Sequence, residues 1–264
     1  MRKTIITLLL MIVSALPLAA GAEQRVVRVL FVGNSLTYVN DLPAAFATIY
    51  QASQPDAKVE TEMLAQGGAL LREHLDAGAL RLLLARERFD IVVLQELGGL
   101  PLCPVDFPPC KDSPQALRDA AAAVRAANSR PVWFATWQAL PSAQEELSRR
   151  VSTLARELQI DTVDVGAAMQ RVAPNMRRHL VVQDGHPRPL GTWLAASALV
   201  ANITGTLPKT VPPQSCGKTW KQLSLTTPAS LQVAEDAECF QPRAAQWRAV
   251  RAAIRFDAKH AKEN

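Results

Sequence analysis

Apolar residues follow two alternating rhythms along this chain. Segments 26–32, 58–64, 90–94, 131–136 and 160–165 read as short strands; those at 26–32 and 90–94 are almost continuously Val, Leu, Ile and Phe. Runs of that kind belong to strands buried on both faces, as in parallel sheets. Between them the apolar spacing changes to three and four. It predicts helices over 42–52, 69–88, 114–128, 143–158, 166–173 and 190–204. The 42–52 helix has Asn40 or Asp41 as its cap and Pro43 in its first turn. The 69–88 helix carries Leu70, Leu71, Leu75, Leu80, Leu83 and Leu84 on one side. Strand–helix alternation with short connections predicts an α/β fold around a parallel sheet, helices on both faces.

Two stretches interrupt the rhythm. Residues 97–113 form a loop with Pro101, Pro104, Pro108 and Pro109, and 206–241 is rich in Pro, Ser and Thr. The first follows a strand's carboxyl end, which is the active face of such sheets. Both loops are expected to shape a substrate pocket. Each also contains a cysteine pair. The four cysteines allow three pairings, and the local ones, Cys103–Cys110 and Cys216–Cys239, each close one loop. No Cys-x-x-Cys spacing or adjacent histidine suits zinc, so no metal is expected. Residues 242–258 predict a last helix, with Trp247, Val250 and Ile254 on one face.

The first 22 residues read as an export signal. Arg2 and Lys3 precede a short apolar core from Ile5 to Val13, Pro17 breaks it, and Ala20-Gly21-Ala22 fits a small-residue cleavage site. That core is too short for a span, and no later segment approaches one. The expected product is a single domain, residues 23–264, periplasmic or secreted, without a membrane span. An oxidising destination favours disulfides over free thiols. The formal charge is +5, of which Arg2 and Lys3 contribute two, and the basic residues are scattered. Nucleic acid is therefore not an expected partner.

Ser35 is the leading candidate for chemistry. The first strand stops at Gly33-Asn34 and delivers a hydroxyl immediately beyond its carboxyl end. Gln183-Asp184-Gly185-His186-Pro187 supplies an acid and an imidazole in a loop before a helix. Serine, histidine and aspartate together are the inventory of nucleophilic acyl transfer. His186 is the candidate base; His74, His179 and His260 are expected on the solvated surface. Candidate oxyanion donors are the backbone of Ser35, that of Gly67 or Gly68, and the Gln95 side chain. Trp137 and Trp193 are candidates for the pocket wall or for the core.

These residues resemble the SGNH (GDSL-like) hydrolase superfamily. Gly33-Asn34-Ser35-Leu36-Thr37 is similar to its first block, with Asn34 where familiar members have Asp. Gly67 or Gly68 resembles the second-block glycine. Asp184-Gly185-His186-Pro187, with Gly191 and Leu194-Ala195-Ala196, resembles the last block. Val92-Val93-Leu94-Gln95-Glu96 is similar to a branch in which Gln replaces the third-block Gly-x-Asn-Asp. The resemblance covers roughly residues 26 to 203. It implies a three-layer α/β/α flavodoxin-like fold with about five parallel strands, hydrolysis of oxygen esters or thioesters through a serine acyl-enzyme, and no cofactor. The family's acid usually stands three residues before the histidine, where this chain has Gln183; whether Asp184 or Gln183 orients His186 stays open.

The expected protein is an exported serine esterase acting on a small-molecule or glycan ester, such as an O-acetyl group, or on longer acyl chains as a lipase or thioesterase. The competing reading is a non-catalytic binding protein on the same fold. Nucleotide or flavin binding lacks a glycine-rich phosphate loop after Val32.

Overall fold

The computed structural model describes residues 24–100, 108–220 and 222–255. Five parallel strands form the centre: β1 (Val26–Gly33), β2 (Lys58–Ala65), β3 (Ile91–Gln95), β4 (Arg130–Ala135) and β5 (Asp161–Asp164), in the order β2-β1-β3-β4-β5. This is the parallel α/β sheet with two covered faces that the alternation predicted. Successive side chains of a strand point to opposite faces, so one continuous apolar run feeds two cores. Val29 and Phe31 of β1, Ile91 and Val93 of β3, and Val132 and Phe134 of β4 share one core. That core is closed by α2 (Leu42–Ser53), α7 (Val165–Arg171), α9 (Pro189–Thr204) and α10 (Ala244–Ala253). A single turn, α8 (Pro174–Arg177), follows α7. Leu30, Val32, Val92, Leu94, Trp133 and Ala135 feed the other core. Its cover is α3 (Leu71–Asp76), α4 (Ala79–Arg86), α5 (Pro108–Ala126) and α6 (Pro141–Leu158).

Several element boundaries differ from the sequence reading for identifiable reasons. The helix expected over 69–88 is two helices, α3 and α4. They are split at Gly78, whose φ of 73° is left-handed and ends the first turn run. The loop expected over 97–113 ends early, because α5 already starts at Pro108 and carries Pro114 inside it. The 206–241 stretch contains an antiparallel pair, β6 (Ser215–Lys218) and β7 (Ala237–Phe240), in which Cys216 and Cys239 face each other and are bonded. Cys110 is also disulfide-bonded and buried; Cys103 lies outside the described residues, as do the expected export signal, His260 and the tail beyond 255. No helix among the described residues is long and apolar enough to cross a membrane.

The β6–β7 pair packs on α2 and ends in a specific lock. Asp41 caps α2 by accepting from the Ala44 N–H at 3.1 Å, while its other oxygen accepts from the Lys218 N–H at 2.8 Å. Asn40 and Asp41 both hold left-handed φ values, 58° and 50°, a conformation Asn and Asp tolerate better than most residues. They turn the chain sharply between α1 (Ser35–Tyr38) and α2.

Candidate functional site

Ser35 opens α1, a single turn that starts directly after β1. Strand β1 lies between β2 and β3. The chain leaves β1 for β2 on one side, and β3 occupies the other. Ligands bind outside the carboxyl ends of α/β sheets at such a reversal. Asn34, fully buried, caps the turn: its Oδ1 accepts from the Leu36 N–H at 3.2 Å, and its Nδ2 donates to the Ala69 carbonyl at 3.0 Å. At the first helical position the Ser35 N–H has no intrahelical acceptor.

The base arrives from the far end of the chain. Ahead of α9, the Gln183–His186 loop is closed by a bridge between Val181 and Pro187 and by the Val182 N–H on the His186 carbonyl, 2.9 Å. Gly185 turns it with φ 91°. His186 Nε2 and Ser35 Oγ stand 2.9 Å apart. On the other side of the ring, Nδ1 lies 3.1 Å from Asp184 Oδ1, which also accepts from the His186 N–H at 3.0 Å. An acceptor at Nδ1 places the proton there and leaves the Nε2 lone pair for the serine hydroxyl. The His186 backbone and imidazole N–H groups hold the Asp184 carboxyl below its ordinary pKa. Asp184 is thus the residue that meets the ring, although its side chain is 67% exposed. Gln183 lines the neighbouring cavity wall. Two side chains hold this loop against the rest of the fold. Asn40 Nδ2 donates to the Pro187 carbonyl at 2.8 Å and to Thr192 Oγ1 at 3.0 Å. Trp137 Nε1 donates to the Gly185 carbonyl at 2.9 Å. Gly191 lets α9 approach closely, since a Cβ there would run into the Leu180 carbonyl.

A cavity of about 670 Å³ opens beside Ser35 and His186. Trp137, Met169, Leu180 and Val181 supply its apolar wall, and Arg177 and Arg178 lie on it as well. Of the two tryptophans named as candidates, Trp137 lines this cavity. Trp193 does not: it is buried edge-on against Trp247 and Phe240, in the core under the β6–β7 pair. No described residue of 206–241 lines the cavity, contrary to expectation, because the β6–β7 pair folds onto α2 instead.

Gln95 is placed differently from the oxyanion role expected of it. It is buried, its Oε1 accepts from the Asn34 N–H and from Thr37 Oγ1, both at 2.9 Å, and its Nε2 donates to the Glu96 carbonyl at 2.5 Å. The amide spends itself on the residues flanking Ser35 and is not turned to the cavity. Gly33 makes this possible, because a Cβ there would meet the Gln95 oxygen and Thr37 Oγ1. Gly67 and Gly68 form an exposed turn after β2, and Gly67 lies near the Tyr38 hydroxyl; neither lines the cavity. Gly98, beyond β3, does line it beside Ser35.

His74 also departs from expectation. It is fully buried, with Nε2 donating to the Gly33 carbonyl at 2.8 Å, and burial pushes its pKa down, keeping the ring neutral. Its position with Leu71 and Leu75 on one helical face was the available signal. The neighbouring Glu96 carboxylate is buried too. Its Oε1 accepts from the Leu97 and Leu71 N–H groups at 2.7 and 3.2 Å, and its Oε2 from Ser113 Oγ at 3.1 Å. Burial pushes its pKa up. His179 stays exposed, within 3.3 Å of Arg178 Nε.

No family model matches this chain, and no curated protein matches it in sequence. Solved structures do. One is a protein from Slackia heliotrinireducens described as a "putative SGNH hydrolase": 27% identity, TM-score 0.56, covering 68% of this chain and all of that one. Another is a single-residue variant of Axe2, an acetyl xylan esterase from Geobacillus stearothermophilus, at 16% identity and TM-score 0.51, covering 67% of this chain and 95% of that one; at that identity the likeness is one of fold.

Proposed function

We propose that this chain, a member of the SGNH hydrolase superfamily, is an exported serine esterase that cleaves a carboxylic ester through an acyl-enzyme on Ser35. One observation carries the reading: Ser35 Oγ lies 2.9 Å from His186 Nε2, with Nδ1 on Asp184 at 3.1 Å, at the edge of an open cavity. A turn serine and a loop histidine 151 residues apart have no structural need to meet.

The steps follow from that geometry. Ser35 attacks the ester carbonyl as its proton passes to His186 Nε2. Asp184 holds the ring in the tautomer that can accept it and stabilises the imidazolium. The Ser35 N–H, free of any intrahelical acceptor, and the backbone of Gly98 on the same wall are the candidate donors to the charge that develops on the carbonyl oxygen. His186 then gives its proton to the leaving alcohol. Water follows, deprotonated by the same nitrogen, and releases the acid.

A short acyl ester, such as an O-acetyl group on a glycan, is the substrate class we favour. The fold shared with an acetyl xylan esterase supports it. The size and apolar wall of the cavity instead favour a second reading, longer acyl chains. Hydrolysis of p-nitrophenyl acetate, butyrate and octanoate by residues 23–264, beside Ser35→Ala, tests both. Serine-dependent turnover is expected, and its chain-length profile chooses between the two; turnover that survives Ser35→Ala refutes the nucleophile. Export rests on the composition of residues 1–22, and the mass of the protein recovered from outside the cytoplasm checks it.

A further inference from the structure

The cavity beside Ser35 carries a charge that the proposed acyl transfer leaves unused. Arg177 and Arg178 both lie on its wall, and the one carboxylate among its described lining residues, Asp184, is committed to His186. Neither guanidinium has an ion-pair partner among the described residues. Arg28, Arg72 and Arg130 each meet a carboxylate, whereas Arg125, Arg171 and Arg251, like Arg177, end on backbone carbonyls; of these, only Arg177 lies on the wall of this cavity. Arg177 is also held in place. Its Nη2 donates to the Gln170 and Val172 carbonyls at 2.6 and 3.1 Å, at the end of α7, and its Nε is buried without any acceptor. A guanidinium fixed through Nη2 at the cavity wall holds its charge in place for an oxyanion without the entropy loss of ordering a free side chain. Arg178 is engaged through Nε alone, with His179.

We infer that the natural ester carries an anionic group, a carboxylate, phosphate or sulfate, which Arg177 and Arg178 receive while the ester carbonyl lies at Ser35. This deepens the esterase reading and rests on it. The anion sits on either the acyl or the alcohol part of the ester, and paired substrates separate these. Mono-4-nitrophenyl adipate against 4-nitrophenyl hexanoate places the charge on the acyl side. 4-Acetoxybenzoate against 4-acetoxybenzamide places it on the alcohol side.

The quantity read is the ratio of kcat/KM, charged over neutral, in wild type, Arg178→Gln, Arg178→Glu and Arg177→Lys, with folding checked by Tm. A ratio of about tenfold or more is expected in one arm, the scale of a charge-assisted, partly shielded contact. It should shrink with added salt, fall in Arg178→Gln and invert in Arg178→Glu. A ratio near one in both arms, or one indifferent to Arg178→Glu, overturns the inference while leaving the esterase intact. If none of the four esters turns over, the esterase reading fails separately. NMR titration of Ser35→Ala with monomethyl adipate and methyl hexanoate then decides the inference. Tighter, salt-sensitive binding of the charged ester supports it, and equal binding ends it.

Discussion

Replacing Gln95 with methionine removes one amide from behind the nucleophile at nearly constant volume. The Asn34 N–H loses its acceptor and, as backbone in a fully buried residue, cannot turn elsewhere. An orphaned buried donor costs about 1–3 kcal/mol. The Thr37 hydroxyl also loses Gln95 but can rotate, and the Glu96 carbonyl loses a donor; an under-satisfied carbonyl is the milder defect. The expected loss is about 2–4 kcal/mol in total. Urea unfolding should show a lower midpoint with an unchanged m value. Because Asn34 and Thr37 flank Ser35, kcat/KM should fall as well, by about ten- to a hundredfold if the hydroxyl is displaced from Nε2. Thr37→Val should lose less stability in the Gln95→Met background than in wild type, with a coupling above about 0.5 kcal/mol. An oxyanion donor would behave differently, its loss lowering kcat by about 10²–10³ at unchanged stability. An unmoved urea midpoint with a collapsed kcat would therefore refute the buried-anchor reasoning and restore Gln95 to the cavity.

Three other outcomes are expected. Asp184→Asn should slow turnover far more than Gln183→Ala, because Asp184 is the side chain on Nδ1; the reverse order in kcat/KM would show the acid to be misassigned. Gly191→Ala should lower both Tm and kcat/KM, since the new Cβ drives α9 away from Leu180 and opens the His186 loop; a full-activity variant would show that the approach can relax freely. Glu96→Gln should flatten the pH dependence of stability. Burial, reinforced by Glu73, raises the native carboxyl above its unfolded value. At low pH both states hold the proton and nothing is lost. As the pH rises past the ordinary glutamate range the unfolded chain ionises first, so stability falls, by up to about 1.4 kcal/mol per pH unit, until the native carboxyl ionises too. Glutamine keeps an oxygen for the Leu71 and Leu97 N–H groups while Ser113 turns to accept. Urea midpoints from pH 4 to 8 should therefore drop less in the variant; buried Asp41, also raised by burial, and buried His74, lowered by burial and acting in the opposite direction, contribute to the slope that remains.

The sheet was legible because buried parallel strands leave short apolar runs, and Ser35 and His186 because each follows such a run or precedes a helix in a tight, glycine-marked turn. What escaped was the direction in which polar side chains point. Gln95 ends an apolar strand, and nothing in Val92-Val93-Leu94-Gln95 tells whether its amide turns to solvent or back to Asn34. Trp193 falls in a helix buried on nearly every side, where one-face periodicity carries no information. His74 is obscured for a different reason: Leu71 and Leu75 share its helical face, but the polarity of an imidazole points to the surface while its position points to the core. Arg177, Arg178 and His179 stand together as a basic stretch, and nothing along the chain ties them to Ser35, because a cavity built from separate segments has no signature in sequence.

The distance in sequence between the two halves of the site bears on when the protein becomes active. The five strands of the parallel sheet are complete by Asp164, so a growing chain holds all of them, and the serine, before the imidazole has been synthesised. The closing step is the docking of residues 180–192 under Asn40 and Trp137, whose bonds to Pro187, Thr192 and Gly185 span 147, 152 and 48 residues. Contacts of such separation are the slow ones to form. Catalytic competence is therefore expected late in folding, and during refolding recovered turnover should report the docking of residues 180–192, lagging the far-UV signal of the helices and strands.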